Sequence, residues 1–422
     1  MLARWLVIAS LLPALFAQQR TLVFTGGRVI TGSGETIERG VIVVRDGRIA
    51  EVGAAGKVKS PKDAQVIDTT GKTVTPGFIN THGHVGETVG MRMGPELYSE
   101  ENVLRQLKLY ARYGITTVSS LGGDQAAGFK LRNEQDTPAG LDRARLYVAG
   151  AVITGKTPGE ARDMVDQVAA QHPNFIKIRV DDQLGAQQKM APEVWQAVLA
   201  RAHEKKLPLA AHIFYLADAR ALLDAGADYI AHSVRDREID ADTIALLKKR
   251  DVCLCPTLTR EVSAFVYESR PAFFDDAFFL KEADPKVLEQ LTEPQRMAAM
   301  KNSRAAQQYK LALDMASRNL KKLEDAGVRI AFGTDTGPPA RFQGYFEHME
   351  MELMSKAGLT PMQIIRSATS DAARCMKVQG IGVIGKGAWA DLVVLAKNPI
   401  DDIRNMRTIE SVWIGGRQLA PN

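Results

Sequence analysis

Two histidines separated by a single residue are the first sign of chemistry in this 422-residue sequence. His82 and His84 end the stretch "GFINTHGH", in which an apolar run leads into both imidazoles. Residues two apart on a β-strand point to the same face, so the two side chains could bind one cation together. The spacing predicts half of a metal site at the end of a strand.

Four more residues with metal-site chemistry lie in or next to other short apolar runs: Lys177, His212, His232 and Asp335. Imidazole nitrogens and carboxylate oxygens are ligands for zinc and similar divalent cations. A single histidine is more often structural, and Asp335 after "AFGT" could instead cap a helix. The joint placement of all six residues is what predicts a metal centre.

Lys177 is the unusual member of this set. It lies among apolar neighbours in "FIKIRV". An unpaired ammonium group in apolar surroundings is costly, so this side chain needs either a partner or a chemical change.

The elements that must position these residues alternate along the middle of the chain. The short apolar runs are "FINTH", "TTVSSL", "RLYVAG", "FIKIRV", "PLAAHI", "DYIAHS", "VCLCPT" and "RIAFGTD". Segments of helical period separate most of them, such as "PEVWQAVLARAHEKK". This pattern predicts the α/β class and a parallel (β/α)8 TIM barrel over residues 75–379, whose chemistry lies at the C-terminal strand ends.

A helical insertion of the barrel is predicted at about residues 260–320, before the last strand. It contains the aromatic stretch "FFDDAFF". Two interpretations remain open, a lid over the barrel mouth and a simple packing appendage.

Both ends of the chain have a different character. β-Branched runs broken by glycine and Asp-Gly turns fill residues 21–70, and "ADLVVLAKNP" and "IESVWIGGRQL" follow after about residue 380. Each end is short for an independent core. We therefore predict one small β-sandwich domain built from residues 18–74 and 380–422.

The first 17 residues are typical of a signal peptide, with Arg4, an apolar stretch from Leu6 to Phe16 and small Ala17. The run is short for a membrane span, so we expect export to the periplasm or secretion, with no stable membrane insertion after cleavage. A net charge of +5 without a lysine or arginine run argues against a nucleic-acid partner.

The three cysteines do not predict a disulfide framework. Cys253 and Cys255 would share one strand face, which is a poor geometry for a bond between them. We expect both, and Cys375, to be small buried apolar residues.

The sequence resembles the amidohydrolase superfamily of metal-dependent hydrolases over nearly the whole mature chain. The resemblance rests on "TPGFINTHGH" (75–84), "FIKI" (175–178), "AHI" (211–213), "IAHS" (230–233), "FGTD" (332–335) and "GVIGKGAWADLVVLAKNP" (382–399). It is closest to the branch of prolidase-like Xaa-Pro and Xaa-Arg/Lys dipeptidases. A hydrolase of carbon–nitrogen bonds in an amide or peptide is what this resemblance implies.

In that branch a carboxylated lysine bridges two divalent ions, most often Zn2+. The resemblance implies that His82, His84 and Asp335 hold the first ion. It likewise implies that Lys177, carboxylated by CO2 or bicarbonate, bridges both, and that His212 and His232 hold the second. One departure is Asn80, where the family usually has Asp, and this puts the orientation of the histidines in question.

The mechanism that the resemblance implies is attack of a metal-bridging hydroxide on the scissile carbonyl. Asp335 is then the catalytic residue that takes the proton and passes it to the leaving amine. His232 is implied as a second catalytic residue that orients the carbonyl.

Four residues are candidate substrate contacts: Tyr215, Arg235, Arg179 and His348. Tyr215 could bind a carboxylate or the oxyanion, or simply pack at the rim. Arg235 could grip a terminal carboxylate, or pair at the surface with Asp236 or Glu238. Arg179 shares a strand face with Lys177, whereas His348 lies in an ordinary amphipathic helix. These cationic contacts favour a small carboxylate-bearing substrate such as a dipeptide or N-acyl amino acid.

Three alternatives stay open at this point. One is a mononuclear deaminase or imidazolonepropionase-type ring hydrolase, which usually lacks the lysine of the fourth strand. Another is a lactonase or phosphotriesterase with the same metal centre, and the last is a non-catalytic binding barrel. Formation of a homo-oligomer is also open.

Overall fold

The computed structural model describes residues 21–420. The predicted signal peptide at residues 1–17 lies outside this range. Among the described residues, no helix combines the length and the apolar character needed to cross a membrane.

The strands of this part of the chain are short. In chain order they are β1 (Leu22–Thr25), β2 (Arg28–Ile30), β3 (Thr36–Ile37), β4 (Gly40–Arg45), β5 (Arg48–Ala54), β6 (Gln65–Asp68), β7 (Thr73–Pro76), β8 (Phe78–Gly83), β9 (Thr88–Val89), β10 (Arg92–Met93), β11 (Ile115–Ser120), β12 (Arg145–Val148), β13 (Ile176–Arg179), β14 (Leu209–His212), β15 (Tyr229–Ala231), β16 (Cys253–Cys255), β17 (Leu392–Leu395), β18 (Ile409–Ile414) and β19 (Arg417–Gln418).

Helices follow most strands of the middle region. They are α1 (Glu100–Arg112), α2 (Ala126–Asn133), α3 (Pro158–Ala169), α4 (Pro192–Glu204), α5 (Leu216–Ala225), α6 (Ala241–Arg250), α7 (Leu258–Ser263), α8 (Ala277–Leu280), α9 (Pro285–Leu291), α10 (Pro294–Lys301), α11 (Arg304–Asp325), α12 (Tyr345–Lys356), α13 (Pro361–Ser367) and α14 (Ser370–Cys375). Short 3-10 helices span Pro95–Leu97, Val266–Glu268, Ala272–Asp275 and Ile403–Arg407.

The middle region is an α/β fold, as the alternating pattern predicts. Its parallel strands form one sheet in the order β12-β11-β8 and a second in the order β13-β14-β15-β16. Isolated parallel bridges join Ile153 to Ile178, Leu254 to Ile330 and Gly83 to Thr336. Within residues 21–420 these strands make two sheets linked by bridges rather than one continuous closed sheet.

Local sequence explains why these elements form. β14 reads Leu-Ala-Ala-His and is buried throughout, as expected for a parallel strand covered on both faces. In α1 the Ser99 side chain accepts the backbone N–H of Asn102 and caps the helix. Val103, Leu107 and Tyr110 then recur at helical spacing and are fully buried in the main core.

The predicted eighth strand, "RIAFGTD", is not a regular strand. Its only bridge residue is Ile330, and Thr336, directly after the segment, forms another bridge. It still bonds to both neighbours, since Ala331 N donates to Leu254 O and Thr334 N donates to His82 O. The segment therefore lies between β16 and β8 and carries Asp335 to the side of His82.

The chain ends meet in one sheet. Strands β2, β3 and β7 from the N-terminal region pair with β17, β18 and β19 in the order β19-β18-β17-β7-β2-β3. A second sheet has the order β5-β4-β1-β6. Apolar side chains from both sheets share one cluster, in which the rings of Phe24 and Trp413 lie 5.0 Å apart.

The aromatic stretch "FFDDAFF" packs at the beginning of α12. The Phe279 ring lies 4.8 Å from Phe342 and 4.9 Å from Tyr345 between centroids, and Phe279 is buried. Phe273 lies 5.4 Å from Tyr345 in the same way. These contacts join the stretch to the aromatic residues around the start of α12.

The expectation that no cysteine forms a disulfide is wrong. Cys253 of β16 is bonded to Cys375 at the end of α14, with their Cα atoms 5.8 Å apart. Cys255 is free and buried. The bonded residues are 122 positions apart, and no local pattern shows that α14 returns to the base of β16.

Candidate metal centre

The first half of the centre consists of His82, His84 and Asp335. His84 Nε2 lies 2.9 Å and His82 Nε2 lies 3.4 Å from Asp335 Oδ1. One potential ligand atom from each residue falls within 4.8 Å of the others. The structure thus brings together the pair from β8 and the aspartate from the eighth segment, as the sequence predicts.

Asp335 owes its direction to an unusual backbone. Its φ of 59° is left-handed, and its N–H donates to His82 O at 2.6 Å. Burial opposes ionisation of this carboxyl, but Arg341 and His82 outweigh that effect and hold its pKa well below the usual range. Arg341 Nη1 donates to Asp335 Oδ2 at 2.5 Å. The side chain is a carboxylate whose Oδ2 is bound by Arg341 and whose Oδ1 faces the two histidines.

Lys177 of β13 lies beside the first half. Its Nζ is 3.4 Å from His82 Nε2, and the residue is 4% exposed. Burial lowers its pKa to about 8, against the opposing charge of Asp335. A fraction of this amine is therefore neutral near pH 7.

The second half is made by His212 and His232. His212 Nδ1 lies 2.7 Å from His232 Nε2. Burial lowers the pKa of His212 to about 3 and that of His232 well below its usual value. The rings of His82 and His232 are 4.7 Å apart between centroids, so the two halves are adjacent.

The residues fit divalent cations on three counts. The donors are imidazole nitrogens and a carboxylate, a set that suits zinc and related metals. The imidazoles of His212 and His232 are neutral, as ligands must be. Two of the ring nitrogens that face away from the cluster are occupied: His84 Nδ1 lies 3.2 Å from Gly122 O, and His232 Nδ1 lies 2.6 Å from Thr257 Oγ1.

Asp181 is a site residue that sequence reasoning missed. Its Oδ2 lies 3.3 Å from His212 Nε2, the nitrogen opposite the one that faces His232. The two atoms lie at ion-pair distance without hydrogen-bond geometry, and a carboxylate in this position raises the basicity of the ring. The available signal was alternation, because residue 181 lies two positions beyond Arg179 and four beyond Lys177. Arg341 was missed as well, and no local pattern marks it.

Tyr215 and Arg179 lie near the second half of the centre. The Tyr215 hydroxyl donates to Asp182 Oδ1 at 2.8 Å. Tyr215 also lines a cavity of about 540 Å3, together with Phe214 and Arg235. Arg179 ends β13, and its positive charge lowers the pKa of both Lys177 and His212.

Arg235 and His348 are engaged elsewhere. Arg235 is 2% exposed and its Nε lies 3.0 Å from Glu261 Oε1, so its ion-pair partner is neither Asp236 nor Glu238. His348 is buried in α12, with Nε2 donating to Tyr113 O at 2.9 Å. Both sets of contacts are those of structural residues.

Asn80 acts on the backbone of the metal-binding strand. Its Oδ1 accepts the backbone N–H of His82 at 2.9 Å. His82 Nδ1 has no hydrogen-bond partner among the described residues. The amide at position 80 thus holds the strand that carries His82 and does not orient the imidazole directly.

The chain belongs to the amidohydrolase family, whose model matches residues 73–419. It is a metal-dependent hydrolase that acts on carbon–nitrogen bonds, which agrees with the buried donor set described above.

Individual relatives differ in extent. An imidazolonepropionase from Geobacillus sp. (strain WCH70) is 23% identical over 405 residues, which cover 85% of this chain and 84% of the relative. A dihydroorotase from Anaeromyxobacter dehalogenans (strain 2CP-C) is 34% identical over 139 residues. That match spans 32% of this chain and only 30% of the dihydroorotase.

Solved structures show the same fold over nearly the whole chain. A protein from Bifidobacterium longum, assigned provisionally as a prolidase, is 25% identical with a TM-score of 0.75 and 95% coverage of both chains. A Xaa-Pro dipeptidase with methionine bound in its active site is 21% identical with a TM-score of 0.76, covering 95% of this chain and all of that one. The predicted similarity to prolidase-like amidohydrolases is confirmed.

Proposed function

We propose that the chain uses two divalent cations to hydrolyse the amide bond of a small carboxylate-bearing substrate, either a dipeptide or an N-acyl amino acid. The observation that carries the proposal is the position of Lys177 Nζ, 3.4 Å from His82 Nε2 in the first half of the centre. The second pair of imidazoles, His212 and His232, completes a cluster of six side chains, of which all but the part-buried His84 are buried.

Each residue has a defined task in this proposal. His82, His84 and Asp335 hold one cation, His212 and His232 hold the other, and carboxylated Lys177 holds both. When bound, two such cations, most readily Zn2+, supply an acidic water and polarise the scissile carbonyl. Carboxylation converts the buried amine into an anion, which removes the cost of an unpaired ammonium group.

Proton transfer falls to Asp335. Its carboxylate is ionised and takes the proton of the attacking water, then gives it to the leaving amine. Arg341 on Oδ2 keeps this carboxylate in place. The His232 ring is hydrogen-bonded to Thr257 through Nδ1. As a member of the cluster, His232 orients the carbonyl.

Positive charge near the second half supports an anionic substrate. Arg179 lies two residues beyond Lys177 on β13, and Tyr215 lines a cavity of about 540 Å3 whose lining includes none of the six cluster residues. The likeness to a prolidase-type protein and to a Xaa-Pro dipeptidase supports a dipeptide among such substrates.

A mononuclear ring hydrolase is the second candidate. Two observations favour it: His82, His84 and Asp335 form a donor group by themselves, and an imidazolonepropionase is among the relatives that match over most of the chain. Its prediction differs, since one ion per chain would suffice and Lys177 would be dispensable. A lactonase would keep the binuclear centre but act on an ester, and a non-catalytic barrel would hydrolyse none of these compounds.

The deciding experiment compares wild-type protein with Lys177→Arg, which keeps the positive charge but cannot become carboxylated. Both are loaded with zinc and bicarbonate, analysed for metal content, and assayed on dipeptides, N-acyl amino acids, lactones and imidazolone propionate. We expect wild type to bind two ions per chain and to hydrolyse amides. We expect the variant to lose both the two-ion content and the amide hydrolysis. One ion and unchanged activity in the variant would instead establish the ring hydrolase.

Fold details and cellular location complete the proposal. We infer that the parallel strands close into one (β/α)8 barrel over residues 75–379, and that residues 18–74 and 380–422 form a β-sandwich. We also infer cleavage of residues 1–17 and residence in the periplasm or outside the cell, where a disulfide such as Cys253–Cys375 is stable. Mass spectrometry of the exported protein would show a chain that begins near Gln18 if cleavage occurs.

A further inference from the structure

We propose that Glu347 is a positioning residue that fixes both chain segments of the first half of the centre at once. It acts through Asn80 on the strand that carries His82 and through two threonines on the segment that carries Asp335. The inference rests on the proposed function, because its test reads the affinity of that centre for zinc.

The link to the histidine strand passes through one amide. Asn80 Nδ2 donates to Glu347 Oε1 at 2.7 Å, while Asn80 Oδ1 accepts the backbone N–H of His82 at 2.9 Å. Asn80 and Glu347 are both fully buried. A displacement of Glu347 is therefore passed directly to the backbone of His82.

The link to Asp335 passes through its two neighbours. Thr334 Oγ1 and Thr336 Oγ1 each donate to the same Glu347 oxygen at 2.6 Å. The other carboxylate oxygen accepts the N–H of Gly344 at 2.6 Å, which anchors it at the start of α12. Asp335 is held from both sides by residues bonded to one carboxylate.

This arrangement explains why position 80 carries an amide. Residue 80 must accept from His82 N–H and also donate to Glu347, and an amide can do both whereas a carboxylate only accepts. A second carboxylate 2.7 Å from the first, in a site closed to solvent, would add charge repulsion and leave buried acceptors unpaired. The amide at 80 and the carboxylate at 347 are therefore interdependent.

A matched control lies one helical turn further on. Glu350 is also fully buried, and it accepts the N–H groups of Leu258 and Thr259 and the Thr259 hydroxyl. Its bonds hold the beginning of α7 and none of them goes to Asn80, Thr334 or Thr336. Glu350→Gln thus tests the cost of losing a buried carboxylate on α12 while the bonds of Glu347 to Asn80, Thr334 and Thr336 stay in place; its link to that segment is the Thr259 hydroxyl, 3.3 Å from Thr334 O.

The experiment measures zinc affinity by equilibrium dialysis, and thermal unfolding of metal-free protein, for wild type and four variants. These are E347Q, N80D, the double variant N80D/E347Q, and E350Q. We expect E347Q and N80D each to weaken zinc binding about 10- to 100-fold, the usual cost of losing a partner behind the ligands. The double variant restores one amide facing one carboxylate and recovers most of the affinity that N80D loses.

The control separates positioning from folding. E350Q lowers the unfolding temperature but binds zinc as wild type does. Zinc affinity of E347Q equal to that of wild type, or a double variant no better than N80D, would overturn the positioning role. If N80D does not fold, the comparison of E347Q with E350Q decides alone. Wild-type protein that binds no zinc would instead overturn the proposed function.

Discussion

The two halves of the metal centre are built in different ways. His82 and Asp335 come from segments 253 positions apart and meet only because the segment after Ile330 lies against β8. His212 and His232 end neighbouring parallel strands, in which His212 pairs with Ala231. The first half is therefore a product of long-range assembly, and the second of adjacent strands.

The supporting contacts differ in the same sense. The first half depends on one buried carboxylate, Glu347, that reaches both of its segments. In the second half each histidine has its own partner, Asp181 for His212 and Thr257 for His232. Damage to the first half should consequently spread across its ligands, whereas damage to the second should stay with one ring.

The largest effect is expected at Asp335. Asp335→Asn removes both a cation ligand and the proton acceptor, and general acid–base groups contribute about 10²- to 10⁴-fold to rate. We expect kcat/KM for the best amide substrate to fall by at least about 10²-fold. Asp242→Asn on the exposed surface of α6 is the control and should be without effect. Activity of Asp335→Asn within threefold of wild type would mean that the first half is not catalytic.

Asp181→Asn is expected to act on the second half alone. Loss of the carboxylate behind His212 should weaken binding of one of the two zinc ions about 10- to 100-fold and leave the other unchanged. Metal content measured during stepwise zinc addition would show this split. An equal loss of affinity for both zinc ions would contradict this expectation. It would show that the two halves are coupled as tightly as the ligands within one half.

His212 also predicts how pH affects the metal-free protein. Burial depresses its folded-state pKa to about 3, against 6.5 for an ordinary histidine. Between these values the unfolded chain binds a proton that the folded chain does not, so stability falls as pH falls, by about tenfold in the unfolding equilibrium constant per pH unit. Urea unfolding at pH 7 and pH 5 should show this loss in wild type.

The His212→Asn variant is the matched control for this titration. It lacks the imidazole, so its own loss of stability between the same two pH values should be smaller by that contribution. Equal losses in the two proteins would show that His212 does not carry the pH dependence.

The smallest effect is expected at Thr257. Thr257→Val keeps the shape of the side chain but removes the hydroxyl 2.6 Å from His232 Nδ1. A lost hydrogen bond of about 1 kcal/mol corresponds to roughly a fivefold weaker zinc affinity in the second half. Dialysis against zinc would detect it, and a loss as large as that of Asp181→Asn would show that the two partners are equivalent.

The sequence was most informative where strand alternation carries the signal. The spacing of His82 and His84 and the positions of His212 and His232 follow from a period of two and from strand ends, which are local properties. The structure groups these residues as predicted. The α/β class followed from the same alternation of runs and helices.

The features that the sequence did not predict depend on contacts between distant segments. Glu347 lies in an ordinary amphipathic helix, and its bond to Asn80 joins positions 267 apart. The pairing of Cys253 with Cys375 is equally non-local. His348 had a suggestive position beyond the last strand, yet the packing of α12 turns it towards Tyr113 instead. Chain topology decides such contacts, and no local pattern records them.

The most direct test of the binuclear centre is an anomalous difference map at the zinc edge, from crystals grown with zinc and bicarbonate. We expect two peaks, one among His82, His84 and Asp335 and one between His212 and His232, with density for a carboxylated amine at Lys177 between them. A cluster without metal, or a single peak beside an unmodified lysine, would contradict it.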